Sequence, residues 1–255
     1  MSPDCILKRD RPAGKGAATP YLAALQGARL AICDEAPDDV QLDEEAVKRV
    51  TGQTTIEARF LNANPVCFKP THLPMLLTNS KPMININDEA VLRRLLVIPF
   101  DLRFKTPEEM DQQDPTHRLM DKTLADKLLT CERQEQLLAW LVRGAVAWHR
   151  DGLPPAPARV KAAFQEYKDD NDDLQKYLDE SCEVGAGFEV KTVQFAEEFN
   201  KRTQNTRKYS QKKVSEMMKK KGFSSKQSIN FPNRAMAYQG VRARPQTVFV
   251  DYDDE

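Results

Sequence analysis

Hydrophobic positions along this chain fall into two rhythms. Two short runs, Leu30-Ala31-Ile32-Cys33 and Leu73-Pro74-Met75-Leu76-Leu77, are apolar at every position. That predicts strands of a parallel sheet buried on both faces. Between them, Thr55 to Leu61 and Val66-Cys67-Phe68 flank Asn62-Ala63-Asn64-Pro65, a strand-turn-strand pattern that predicts a hairpin. A helix is expected to start near Asp88. A polar connection follows Phe100 to about Pro115, and helical spacing then holds from Thr116 to Arg150. Its stripe of Leu137, Leu138, Leu141, Val142, Ala145 and Trp148 reads as core. Asp151-Gly152-Leu153-Pro154-Pro155-Ala156-Pro157 ends that helix and marks a domain boundary, because proline cannot continue a helix and glycine can take the left-handed conformation.

Beyond the break, helical signals recur at about 158–182, 191–203 and 210–221, followed by strand-like pieces at 223–230 and 235–241. Three helices and a two-stranded ribbon predict a winged helix. In the third helix Ser210 can cap the N-terminus, Val214, Met217 and Met218 line one face, and Gly222 can end it. The other face offers Lys212, Lys213, Lys219, Lys220 and Lys221, with Arg234, Arg242 and Arg244 expected on or beside the wing. Such a helix enters a DNA major groove, and lysine in excess over arginine favours phosphate contact over base reading. A solvated helix face is the alternative reading of the same lysines.

Charge sharpens that choice. The chain has 255 residues and zero formal net charge, which argues against simple coating of DNA. The charges are unevenly placed, however. Residues 165–189 hold nine acids against Lys168 and Lys176, a balance of −7, and residues 191–226 hold eleven Lys or Arg against three Glu, a balance of +8. An abrupt change of sign separates a solvated face from a polyanion-binding one. No stretch approaches the roughly 20 apolar residues of a membrane span, so no membrane partner is expected and the cytoplasm, or a host nucleus or virus factory, is the expected compartment. Cys5, Cys33, Cys67, Cys131 and Cys182 are scattered, with no C-x-x-C pair, and read as reduced thiols rather than disulfides or zinc ligands.

The chemistry sits at the ends of the two apolar runs. Asp34-Glu35 close the first, Thr78-Asn79 follow the second, and Arg93-Arg94 come after. Open α/β sheets place ligands at strand C-termini. There Asp34 could hold a Mg²⁺-bound water, Glu35 could polarise an attacking water, and Asn79 could orient that water or touch a γ-phosphate. Arg93 or Arg94 would suit an arginine finger reaching a neighbouring subunit. Each piece alone also fits a strand entering a solvated turn, a plain turn or a charged helix surface.

Taken together, "YLAALQGARLAICDEA", "VKRVTGQTTIEARFL", "CFKPTHLPMLLTNSKP" and "DEAVLRRLLVIPF" resemble the superfamily 3 helicases, in the branch of phage, plasmid and large-DNA-virus primase-helicases. The resemblance continues through "LLAWLVRGAVAWHRDGLPPAP" and "FQEYKDDNDDLQKYLDE", covering most of the chain from about Tyr21. It implies an α/β fold: an incomplete P-loop (AAA+-like) ATPase core over 1–104, a helical extension and linker over 105–157, an α+β winged-helix domain over 158–250 and an acidic tail over 251–255. It also implies ATP and Mg²⁺ as cofactors, and unwinding of duplex DNA by a homo-oligomeric ring, a hexamer, with a primase segment possible upstream. Asp34 and Glu35 match the family's second nucleotide motif, Asn79 its polar sensor, and Arg93 or Arg94 its arginine finger. The hairpin would point into the ring channel and follow single-stranded DNA through Arg59, Asn62, Asn64 and Lys69. A surface hairpin kept soluble by its two cations is the other reading of that stretch.

Two departures stand out. The family's G-x-x-x-x-G-K-[ST] loop is not present, the nearest approach being Gly14-Lys15-Gly16, and Gln53-Thr54 stands where the family often has Gly-Asp. Without backbone N–H groups around the β-phosphate and a lysine beside it, little holds ATP against Asp34. The loop and first strand are expected upstream of Met1. Two functions follow: part of a replicative DNA helicase completed by a phosphate loop from elsewhere, or a non-catalytic DNA-binding or ring-assembly remnant that has lost ATP binding.

Overall fold

The computed structural model describes residues 1–8, 17–38, 40–52, 54–203 and 208–244. Gly14-Lys15-Gly16, Gln53 and the acidic tail lie outside the described residues. The chain divides into two units, 1–95 joined with 167–255, and 96–166. The boundaries expected at 104 and 157 both fall within the second.

The first unit opens with a 3-10 turn at Pro3–Cys5, then α1 (Pro20–Ala23), β1 (Leu30–Asp34), α2 (Glu44–Val50), β2 (Ile56–Ala58), β3 (Val66–Phe68), β4 (Leu73–Leu77) and α3 (Glu89–Leu92). Parallel pairing needs a long crossover, and here the crossover from β1 to β4 contains α2 and the β2–β3 hairpin. Asp43 caps α2 by accepting the Ala46 N–H at 2.9 Å, and Asp88 caps α3 by accepting that of Val91 at 3.2 Å. Val47, Val50, Ile56, Ala31, Cys33 and Val91 are among the buried apolar residues.

The β1–β4 pair is covered on one face only. Ala31 and Cys33 are buried, whereas Leu30 and Ile32 are 51% and 41% exposed, and Leu73, Met75 and Leu77 share that outer face at 63%, 37% and 45%. This corrects the expectation of burial on both faces. An all-apolar run is what a doubly covered strand needs, but among the described residues β1 and β4 form a sheet of two strands with an uncovered side.

The second unit holds β5 (Arg103–Lys105) paired parallel to β6 (His117–Leu119), then α4 (Leu124–Leu128), α5 (Cys131–Asp151) and the first part of α6 (Ala158–Asp170). The helical stretch expected from Thr116 therefore begins only at Leu124, after β6, and is interrupted between α4 and α5; no residue between 96 and 166 is buried. The stripe on α5 is a second correction: Leu137, Leu138, Leu141, Val142 and Trp148 are all more than half exposed. Periodicity identified the apolar face correctly but could not supply a surface against it.

The chain then re-enters the first unit through α7 (Asp173–Ser181), β7 (Cys182–Lys191), α8 (Thr192–Arg202), α9 (Gln211–Lys220), β8 (Ser225–Gln227) and β9 (Met236–Ala243). The helix expected over 158–182 is broken, because Asp172 caps a new one by accepting the Gln175 N–H at 3.0 Å. The ribbon is a three-stranded antiparallel sheet ordered β7-β9-β8. A core of Leu174, Tyr177, Phe195, Phe199, Met218 and Tyr238 joins α7, α8, α9 and the sheet. Tyr177 meets Phe195 edge-on at 5.3 Å and Phe199 at 5.4 Å. Ile84 N–H donates to Asn171 Oδ1 at 2.9 Å, and Tyr167 hydroxyl donates to the Pro82 carbonyl, joining this body to the segment after β4. The molecule is thus a mixed α/β protein with small sheets, and no helix among the described residues is long and apolar enough to cross a membrane.

Candidate nucleotide site and nucleic-acid interface

The parallel register sets Asp34 opposite Leu77, and the Glu35 N–H donates to the Leu77 carbonyl at 3.2 Å. The two chains then stay together past the strand ends. Ser80 hydroxyl donates to Asp38 Oδ1 at 2.5 Å, Met83 N–H to Val40 carbonyl at 2.7 Å, and Leu42 N–H to Met83 carbonyl at 2.9 Å. Asn79 lies between two anchored residues, Leu77 and Ser80, at the sheet end that also carries Asp34 and Glu35. All three side chains are exposed. Glu35 has φ 56°, a left-handed conformation that side chains other than glycine and asparagine rarely adopt. Beneath them burial pushes the Cys33 thiol pKa up.

These groups fit part of what nucleoside triphosphate chemistry requires. Mg²⁺ is commonly held by one or two carboxylates together with substrate phosphates, and Asp34 and Glu35 offer that number. No cluster of three or more metal-binding side chains occurs among the described residues, and none of the described loops carries the glycine-rich pattern that cradles phosphate.

Arg93 and Arg94 follow α3 directly. Arg93 is exposed, while Arg94 is half-buried and folds back so that Nη1 donates to the Ala90 carbonyl at 2.5 Å. Lys48 Nζ lies 2.5 Å from Asp88 Oδ2 and holds the Asp88 carboxyl below the usual carboxylate range, fixing α3 against α2.

The hairpin is present, with Ile56 paired to Phe68 and Ala58 to Val66. Its loop places Arg59, Asn62, Asn64 and, just beyond β3, Lys69 on the surface, and Asn62 takes φ 55° in the turn. Phe60 and Leu61, absent from the sequence-based set, are 46% and 74% exposed at the same tip.

On α9 the lysines divide. Lys212 and Lys219 are exposed, Lys213 approaches Glu216 at 3.9 Å, and Lys220 approaches Glu89 at 3.7 Å. Lys221 instead binds Asp172 Oδ2 at 2.5 Å and Gln175 Oε1 at 2.9 Å, bracing the cap of α7. Arg234 is exposed at the β8–β9 turn with φ 51°. Arg242 pairs with Glu183 at 2.7 Å and lies 4.0 Å over the Phe188 ring. Arg244 donates to the carbonyls of Cys182 at 3.0 Å and Asp179 at 2.8 Å, satisfying acceptors at the end of α7. The acidic and basic segments thus meet in space, so the sign change along the sequence is partly neutralised by folding.

Comparison with known proteins agrees with a helicase-like relationship. The chain is 33% identical over 131 residues to a protein of Acanthamoeba polyphaga mimivirus named "Putative helicase L207/L206", a match covering 49% of this chain and 14% of that protein. It is 28% identical over 180 residues to "Putative helicase 022R" of Frog virus 3 (isolate Goorha), covering 67% of this chain and 18% of that protein. These matches span less than a fifth of the length of the curated relatives. No protein-family model matches the chain.

Proposed function

We propose that this chain is the later part of a superfamily 3 DNA helicase of large DNA viruses, supplying one half of an ATP site together with a DNA-binding winged helix. The observation that carries this reading is the parallel pairing of β1 with β4, since it brings two carboxylates and an amide to one sheet end. In that role Asp34 would hold the Mg²⁺ that accompanies ATP, through a bound water. Glu35 would take the proton of the attacking water and Asn79 would orient that water. Arg93 or Arg94 would reach the nucleotide of the next subunit in a ring. Arg94 would first release the Ala90 carbonyl.

The missing half is a strand and phosphate-binding loop from outside this sequence. The exposed apolar face of Leu30, Ile32, Leu73, Met75 and Leu77 supports this, because a sheet completed by further elements would cover it. DNA would meet the hairpin through Arg59, Asn62, Asn64 and Lys69, and α9 through Lys212 and Lys219, with Arg234 at the wing. The intramolecular bonds of Lys221 and Arg242 make them weaker candidates for DNA than the sequence alone suggests.

The test is ATP turnover. The chain alone should hydrolyse ATP at background. A second polypeptide carrying a strand and a G-x-x-x-x-G-K-[ST] loop should bring DNA-stimulated turnover that Glu35→Gln abolishes. Turnover by the chain alone, or turnover untouched by Glu35→Gln, would overturn the assignment. The remnant reading, in which ATP binding is lost and DNA binding kept, is favoured by one observation: none of the described loops carries the G-x-x-x-x-G-K-[ST] pattern.

A further inference from the structure

An open cavity of about 510 Å³ lies where the ends of α7, α8 and β9 meet, lined by Tyr177, Ser181, Glu198, Lys201, Arg202 and Arg244. None of these except Arg244 belongs to the sequence-based set. Arg202 Nη1 donates to Ser181 Oγ at 2.6 Å, and Arg244 donates to the two carbonyls at the end of α7. These bonds hold both guanidinium groups at the cavity wall, yet each guanidinium carries five donors and keeps some unspent. Lys201 is exposed and has no hydrogen-bond or ion-pair partner among the described residues.

Two features oppose an anion here. Glu198 contributes one negative charge, already engaged by Gln194 Nε2 at 3.0 Å, and each helix C-terminus contributes about half of one. Three cations, two of them anchored guanidinium groups, outweigh them, leaving a cavity with about one net positive charge and several unspent N–H donors on its walls. Neutral ligands would leave those donors unpaired, whereas phosphate oxygens match them in geometry and charge.

We propose that this cavity is a phosphate-binding site, held by Arg202, Arg244 and Lys201. The phosphate comes either from a DNA backbone or from a free polyphosphate. The site does not depend on the helicase reading, because nothing in it draws on β1, β4 or ATP turnover.

The experiment uses the full chain with two probes, inorganic pyrophosphate by calorimetric titration and a fluorescent DNA duplex by anisotropy. Lys201→Ala and Lys201→Glu change an exposed side chain and should leave the circular dichroism spectrum unchanged. Pyrophosphate affinity should fall about tenfold for Lys201→Ala, the scale of one charge-assisted hydrogen bond, and further for Lys201→Glu. Arg202→Gln should weaken it as well. If the source is DNA, Lys201→Ala also lowers the salt slope of duplex binding by about one, and Lys122→Ala, a surface control, does not. If the source is a free polyphosphate, the pyrophosphate effect appears alone. Unchanged affinity for both probes in Lys201→Glu would overturn the site. Loss of duplex binding in Lys212→Ala/Lys219→Ala, with Lys201 variants silent, would overturn it while leaving α9 as the DNA contact.

Discussion

Glu35 donates its backbone N–H to the carbonyl of Leu77, so the chain leaving β1 and the chain leaving β4 are joined at their last ladder bond. Ser80 repeats the link through Asp38. Ser80→Ala should loosen the two loops without unfolding the sheet. A loss of about 0.5–1.5 kcal/mol in urea denaturation is the scale of one hydrogen bond. An unchanged midpoint would mean that the Ser80 to Asp38 contact contributes nothing to the loops' placement.

Lys221 and its neighbours on α9 should separate stability from binding. Lys221→Ala leaves the carboxylate of Asp172, 12% exposed at its side chain, without its cation and should lower the melting temperature. Lys212→Ala and Lys219→Ala should leave the melting temperature within error and weaken DNA uniformly across sequences. The reverse pattern, with Lys221 governing DNA affinity alone, would contradict the division.

His72 is buried and neither ring nitrogen has a hydrogen-bond partner among the described residues. Burying a polar group unpaired costs about 1–3 kcal/mol, and His72→Leu removes both nitrogens at similar volume. The variant should melt higher than the parent. A lower melting temperature would show that the imidazole is satisfied in solution.

The Asp88 carboxyl is held below its ordinary value of 3.8, first by the Lys48 hydrogen bond. The folded state therefore favours the ionised form. The stability this contributes is complete above pH 3.8 and is lost as the pH falls through the lower folded value. Asp88→Asn should remove that part of the acid dependence and weaken α3, which leads into Arg93 and Arg94. Denaturation midpoints between pH 2 and pH 7 would check this, and parallel curves for variant and parent would refute it.

Local chemistry made much of this readable from sequence. The runs at Leu30 and Leu73, the turn residues Asn62 and Asn64, and the caps Asp88 and Ser210 all act within a few residues, and each marks an element at the expected place. Strand β7 was not readable. Gly185 and Gly187 interrupt its pattern, Gly187 takes φ 83°, and the register shifts between Val184 and Glu189. The fates of Lys221, Arg242 and Arg244 were hidden too, because their partners lie 49, 59 and 62 residues away. On α5, the pattern told which face is apolar and nothing about what lies against it.

The nucleotide-site reading rests on the shared sheet end, and a short thiol cross-linker reads it directly. In a background with Cys67→Ser and Cys131→Ser, which removes the two exposed thiols, Glu35→Cys and Asn79→Cys would be introduced together, with Glu35→Cys and Thr71→Cys, whose second position lies at the opposite end of the β1–β4 pair, as the control pair. The expected result is an efficient cross-link between positions 35 and 79, identified by peptide mass spectrometry. Ready single labelling of both positions with no 35–79 cross-link would contradict it.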